Sequence, residues 1–148
     1  MPDAPVRIVL DDYFAQFLFE ALRLQDFFPE FKAGHVSKCF PRSGLFSYPD
    51  GCHVVEQGDR GRDIYIIYTG WVDILQSFGN AVANLARLNP GEILGEIALL
   101  RDGVRVATAV CGGGAQIFRL AFADMQYLLE NNPALSEHLS SLACKRLS

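Results

Sequence analysis

Over residues 46–120 the chain is cut into short β-forming runs by glycine, proline and aspartate. Pro49-Asp50-Gly51 predicts a turn ahead of a strand at 52–56, and Gly58-Asp59-Arg60-Gly61 predicts a second turn. The run Asp-Ile-Tyr-Ile-Ile-Tyr-Thr at 63–69 is rich in the β-branched and aromatic residues that suit a pleated surface. Another strand starts at once at 71–75, so Gly70 is expected to make a tight reversal, which its missing Cβ permits. A turn at 77–80 precedes a weakly alternating strand at 81–88. Gly112-Gly113-Gly114, between runs at 107–111 and 115–120, predicts a hairpin tip. About eight short strands at near-regular spacing point to an antiparallel barrel or jelly roll.

Helical periodicity flanks this region. Phe14, Phe17, Leu18, Ala21, Leu22 and Leu24 recur at steps of 3 and 4 within 11–31. Asp11 or Asp12 is placed to cap that helix, and Pro29 to end or kink it. A second short helical piece is expected at 33–39. After Leu120, Phe122, Met125, Leu128 and Leu129 predict one helix and Leu135, Leu139, Leu142 and Ala143 another, with Asn131-Asn132-Pro133 between them. The 148 residues, half of them hydrophobic, suit one compact domain. It comprises N-terminal helices at about 1–40, a β region at 45–120 and C-terminal helices at 121–148.

Composition narrows the chemistry. The formal net charge is -4 and no Lys/Arg cluster is present, so nucleic acid is not an expected partner. An anion must therefore be held by a local site. No apolar run reaches the roughly 18 residues of a membrane span, and residues 1–7 lack a basic, apolar leader. A cytoplasmic location with no membrane contact in this segment is expected. Cys39, Cys52, Cys111 and Cys144 are scattered and expected to be free, mostly buried thiols. His35, His53 and His138 are too far apart for a metal motif, and no nucleophile–base pair stands out. The glycine run lacks the Lys-Ser/Thr of a P-loop. Neither enzymatic activity nor a metal or cofactor is expected.

One break in the β pattern carries chemistry. A short helical turn fits 96–100, and a helix start offers unpaired N–H groups and a positive dipole end to an anion. Gly95 permits close backbone approach, Arg105 can reach the same place with a guanidinium fork, and Glu96 can accept hydrogen bonds from hydroxyls. On the residues alone, two readings stand. One is an anion-plus-hydroxyl site; the other is a surface loop with Arg105 paired to Glu92 or Glu96.

Gly95-Glu96-Ile97-Ala98-Leu99, followed by Arg105-Val106-Ala107-Thr108, resembles the phosphate-binding cassette of the cyclic-nucleotide-binding domain family. That family includes catabolite activator proteins, protein kinase regulatory subunits and gated channels. Gly51, Gly58-Asp59, Gly61, Tyr65, Ile67 and Gly70 also fall where the family places turn glycines and core residues, and the resemblance runs from about Tyr13 to the end. It implies a mainly β fold: an eight-stranded antiparallel β-roll with N-terminal helices and C-terminal hinge and lid helices. It also implies that Arg105 pairs with a cyclic phosphate, that the backbone of Ala98 and Val106 binds its exocyclic oxygens, and that Glu96 and the Gly95 backbone hold the ribose 2′-hydroxyl. Ile97 lies within the cassette, Ala107 and Thr108 start the strand behind it, and Leu85, Leu94, Leu139 and Leu142 are expected around the base. Two departures are visible. Arg62, followed by Asp63, stands where the family often has a carboxylate partner for the phosphate arginine. Val106 offers no hydroxyl to a guanine amino group.

The resemblance thus implies a regulatory sensor that binds a cyclic mononucleotide, cAMP favoured modestly over cGMP, and controls an output domain of the same, longer polypeptide through its C-terminal helix. The apolar face of 134–147 has two readings, packing on the roll alone or closing over the base and pairing with a second copy as a homodimer. The alternative function is a domain that kept the fold but serves as a dimerisation or docking module without nucleotide.

Overall fold

The computed structural model describes residues 4–94 and 104–144. Its centre is a pair of long antiparallel strands, β4 (Ile64–Phe78) and β7 (Thr108–Leu120). Shorter strands flank each half of this spine. β2 (Gly44–Ser47) pairs with the C-terminal half of β7 and β3 (His53–Val55) with its N-terminal half. β6 (Ile93–Leu94) pairs with the start of β4 and β5 (Ala81–Leu88) with its end. β1 (Val6–Ile8) adds to β2. The sheet runs β1-β2-β7-β4-β5, with β3 and β6 off that path, and does not close into a barrel. The mainly β, helix-flanked antiparallel roll expected from sequence is present, with seven strands among the described residues instead of eight.

The spine corrects two expectations. Gly70 does not reverse the chain, and Gly112-Gly113-Gly114 is not a hairpin tip. Thr69 pairs with Gln116 and Trp71 with Gly112, so Gly70 faces the extra residues of β7 across a shared bulge. Gly70, Gly113 and Gly114 all adopt positive φ, at 74°, 70° and 70°. A positive-φ glycine suits a bulge as well as a turn. Here the partner strand decides, because β7 carries matching glycines. The Thr69 hydroxyl fastens the bulge, donating to the Gly114 carbonyl at 2.9 Å and accepting from the Gln116 N–H at 3.0 Å. Gly79, by contrast, makes a true reversal: Phe78 pairs with Ala81 across Gly79-Asn80, with φ of 63° at glycine.

Helix α1 (Asp12–Ala21) is capped by Asp11, whose carboxylate accepts the Phe14 N–H at 2.8 Å. It ends eight residues before Pro29, not at the proline. Arg23 takes φ 51°, and the bonds Arg23 N–H to Glu20 O and Leu24 N–H to Phe19 O close a Schellman motif. Leu24 is fully buried, so its burial stabilises an arginine in left-handed backbone. Helix α2 (Ala33–Cys39) lies where the sequence places it.

Helices α3 (Phe122–Asn131) and α4 (Pro133–Cys144) follow β7 and are separated at Asn132, as the Asn-Asn-Pro interruption predicts. The first turn of α3 is held by two carboxylates. Buried Asp124 accepts the Ser43 hydroxyl at 2.6 Å and the Arg42 N–H at 3.0 Å, and Asp63 accepts the Phe122 N–H at 2.8 Å. α4 lies on the N-terminal segment, with a His138 ring nitrogen 2.8 Å from the Leu22 carbonyl oxygen and its ring beside Phe27.

Two apolar clusters divide the interior. The helix-side cluster includes Phe14, Leu18, Leu24, Ile66, Phe118, Leu135 and Leu139. The inner face of the roll gathers Tyr48, Tyr65, Ile67, Val72, Cys111 and Ile117. Alternation along β4 and β7 sends neighbouring side chains to opposite clusters, as strand geometry requires.

Candidate functional site

The turn at 58–61 and the residues just before β7 build the site around Arg105. Its backbone is locked to that turn: its N–H donates to the Asp59 carbonyl at 2.8 Å, and its own carbonyl accepts the Gly58 N–H at 2.8 Å. A bridge pairs Arg60 with Val104 alongside. The side chain turns inward and is only 6% exposed. Nη2 donates to the Asp63 carbonyl at 3.0 Å, and the guanidinium lies over the Tyr65 ring, 5.7 Å from its centre. Gly61 makes room for it, since a Cβ there would sit 3.2 Å from Nη2.

The remaining arm of this guanidinium is the informative one. Nη1 is buried and meets no hydrogen-bond acceptor among the described residues. Burial holds the Arg105 pKa below the usual arginine value, offset in part by Tyr65 and Asp63. The group nonetheless stays a cation at neutral pH. A buried cation whose N–H lacks an acceptor is costly, by several kcal/mol before compensation. The Asp63 carboxylate stabilises this cation only at a distance, because its oxygens meet the Phe122 N–H and lie 3.7 Å from Arg119 instead of accepting from Nη1. The Arg62 guanidinium, a like charge with no acceptor to offer, stacks over Phe122 at 5.5 Å.

Around Arg105 the structure brings together several of the residues named from sequence. The Val106 carbonyl accepts the Gln76 side-chain amide at 3.1 Å, Ala107 is buried, and the Thr108 hydroxyl accepts the Gln57 N–H at 3.0 Å. Leu94 pairs with Tyr65 and packs on the inner cluster. Other named residues lie elsewhere. Leu85 is 53% exposed on β5, while Leu139 and Leu142 pack in the helix-side cluster, not on the inner face with Tyr65 and Leu94. Gly95, Glu96, Ile97 and Ala98 lie outside the described residues.

Sequence reasoning passed over Gln57 and Gln76. The Gln57 side chain also bonds the Ser77 N–H at 2.7 Å and the Ser77 carbonyl at 3.2 Å, tying the site's turn to the tip of β4. A glutamine just before a turn glycine carries no pattern that announces this. Among the described residues no cluster of His, Cys, Asp and Glu could hold a metal ion, and no helix is long and apolar enough to cross a membrane.

Arg105 Nη1 shares its lack of an acceptor among the described residues with Arg119 Nε. Residues 45–132 match the family described as cyclic nucleotide-binding domain, which is more than half of the chain. The chain belongs to that family. It is 34% identical over 101 residues to the cyclic AMP receptor protein of Thermus thermophilus, covering 68% of this chain and 47% of that one. It is 31% identical over 80 residues to the cAMP-dependent protein kinase type II regulatory subunit of Drosophila melanogaster, covering 54% of this chain and 21% of that one. The chain thus spans about half the length of the first relative and less of the second. Among solved structures, the fold matches a cyclic nucleotide-binding domain from Methylobacillus flagellatus with a TM-score of 0.78 at 21% identity, over 97% of this chain and 80% of that one. It matches the catabolite activator protein of Thermus thermophilus with a TM-score of 0.68 at 29% identity, over 86% of this chain and 58% of that one.

Proposed function

We propose that this domain is a regulatory sensor that binds a cyclic mononucleotide, cAMP in preference to cGMP, and passes binding on to an output segment of a longer polypeptide. The buried Nη1 of Arg105, which meets no acceptor among the described residues, carries the reading, because a cyclic phosphate supplies both the charge and the acceptor for this arm. The backbone N–H groups of Ala98 and Val106 bind the exocyclic oxygens, and Glu96 with the Gly95 backbone holds the ribose 2′-hydroxyl. Leu94, already against Tyr65, walls the pocket. No residue here is assigned a catalytic role.

Signalling uses the last helix. A ligand shifts a conformational equilibrium only by binding one arrangement better than another. α4 rests against the N-terminal segment through His138 and Leu139, while Asp63 and Asp124 hold the first turn of α3. Movement therefore centres on the Asn132-Pro133 joint. It brings Leu139 and Leu142 over the base and frees the face on which two copies pair.

Calorimetric titration of the 148-residue protein with cAMP and cGMP tests the reading. Binding of cAMP, with cGMP weaker, supports it; binding of neither nucleotide overturns it. Selectivity is expected to be modest. Val106 withholds one neutral hydrogen bond from guanine, worth about 0.5–1.5 kcal/mol, or at most about tenfold. Val106→Thr should accordingly raise cGMP affinity relative to cAMP, and a ratio unmoved by this change would remove Val106 from the selectivity argument. For the ribose, 2′-deoxy-cAMP should bind markedly more weakly than cAMP. Glu96→Gln, which keeps an acceptor but loses charge assistance, should cost less affinity than any loss of Arg105. Equal affinity for the ribose and 2′-deoxyribose ligands would assign Glu96 a different task.

A further inference from the structure

Two cysteines oppose each other across the inner face of the roll. His53 pairs with Val110 in the antiparallel register of β3 and β7, so the next step places Cys52 opposite Cys111. The Cys111 N–H donates to the Cys52 carbonyl at 3.0 Å and its carbonyl accepts the Gly51 N–H at 2.7 Å, so Gly51 and Cys52 together face Cys111 in a bulge. Residues facing one another across antiparallel strands have Cα atoms about 4.5–5.5 Å apart, and a disulfide spans about 4.4–6.8 Å. Both side chains join the inner-face cluster, so both point the same way from the sheet. The Cys111 thiol donates to the Cys52 carbonyl at 3.1 Å and to that of Pro49 at 3.2 Å, and the Cys52 thiol to the His53 carbonyl at 3.8 Å, so both sulfurs sit at the same turn, and closure requires each to rotate about its Cα–Cβ bond. Cys39 belongs to the helix-side cluster and does not compete.

We propose that Cys52 and Cys111 form an oxidisable dithiol that closes to an intramolecular disulfide when it meets a low-molecular-weight disulfide such as oxidised glutathione. Cys52 is half-buried and Cys111 only 3% exposed, so the oxidant reaches Cys52 first. Burial also pushes the Cys111 thiol up to about 11, leaving it protonated at neutral pH. The Cys52 thiolate attacks one sulfur of the glutathione disulfide, that S–S bond breaks, and one glutathione thiolate leaves and takes up a proton. Cys111 then gives up its proton, attacks the Cys52 sulfur of the mixed disulfide and expels the second glutathione. The protein dithiol loses two electrons and two protons, and the glutathione disulfide becomes two thiols. The new bond ties β3 to β7 and closes a loop spanning a sequence separation of 59 residues.

The test uses the whole protein, oxidised with glutathione disulfide, quenched with an alkylating agent and digested with trypsin. Peptides 43–60 and 106–119 contain Cys52 and Cys111 as their sole cysteines. The expected result is a 43–60/106–119 cross-linked pair, with a Tm raised by roughly 5–15 °C that returns to its reduced value on adding dithiothreitol. Cys52→Ser and Cys111→Ser should each abolish the cross-link and the Tm rise, while Cys39→Ser should retain both. Stable glutathionylation of Cys52 with no cross-linked pair, or a Tm response shared by wild type and Cys111→Ser, would overturn the proposal.

Discussion

Arg105→Ala should weaken cAMP binding by about 100-fold or more while the roll stays folded. Hydrogen bonds to a charged group contribute about 1.5–3 kcal/mol each, and a phosphate that engages Nη1 and part of the fork makes about two of them. Their loss amounts to about 3–6 kcal/mol, where each 1.4 kcal/mol is a factor of ten. Folding should respond far less than to the usual core truncation. The substitution removes a buried cation whose Nη1 has no acceptor among the described residues, so the relief of that group offsets the lost packing on Tyr65 and the donor lost to the Asp63 carbonyl. The ligand-free mutant should therefore melt within a few degrees of wild type. Arg105→Lys should fall between the two in affinity, since it keeps the charge but not the planar fork. The checks are paired: calorimetric titration for affinity and circular-dichroism melting for stability. A mutant that binds cAMP at wild-type affinity would remove Arg105 from the site. One that unfolds outright would make Arg105 a structural residue.

The features legible in the sequence were those set by local rules. Asp11 could be read as a cap because its side chain bonds a backbone N–H three residues on, and the interruption at Asn132 could be read because proline lacks a donor. The family could be read because the residue types and spacing over 95–108 are specific. What stayed hidden depends on partners distant in sequence. Arg23 gives no sign of left-handed backbone; only the burial of Leu24 makes that conformation worth adopting. Leu139 and Leu142 were recognisable as apolar, but periodicity cannot say which of two clusters a helix face will meet. Trp71 gives no sign of its neighbour either: it is stacked under Arg87, whose guanidinium carbon lies 4.6 Å from its ring centre, and Arg87 is held by Asp73 at 2.7 Å. Arg62 and Asp63 show the same limit. Their order departs from the family pattern, yet only the fold shows the Asp63 carboxylate on α3 and its carbonyl on Arg105.

The largest stability effect is expected at Gly70, where the need for glycine is twofold. Its φ of 74° is left-handed backbone, which costs a side-chain-bearing residue roughly 1–2 kcal/mol. Gly51, with φ 84°, shares that term, but nothing lies within 4 Å of a Cβ built there. At Gly70 the added Cβ would sit 2.6 Å from the Gly112 carbonyl oxygen and 2.7 Å from the Ala115 Cα. Both are backbone atoms of β7, held by the Thr69 and Asp50 side chains through bonds of 2.9 Å and 3.0 Å to Gly114, so neither can yield as a flexible side chain would. Relief requires the two central strands to separate at their common bulge, which disturbs the pairs on either side, Thr69 with Gln116 and Trp71 with Gly112. Gly70→Ala is therefore expected to destabilise by about 3–5 kcal/mol, and Gly51→Ala by about 1 kcal/mol. In a domain of this size that corresponds to a Tm loss of roughly 10–15 °C against a few degrees. Thermal melts of the two variants, read in parallel by far-ultraviolet circular dichroism, decide the matter. Were Gly70→Ala to melt alongside Gly51→Ala, the close approach of β4 to β7 at this bulge would be wrong, and Gly70 would need only the backbone freedom of an ordinary turn.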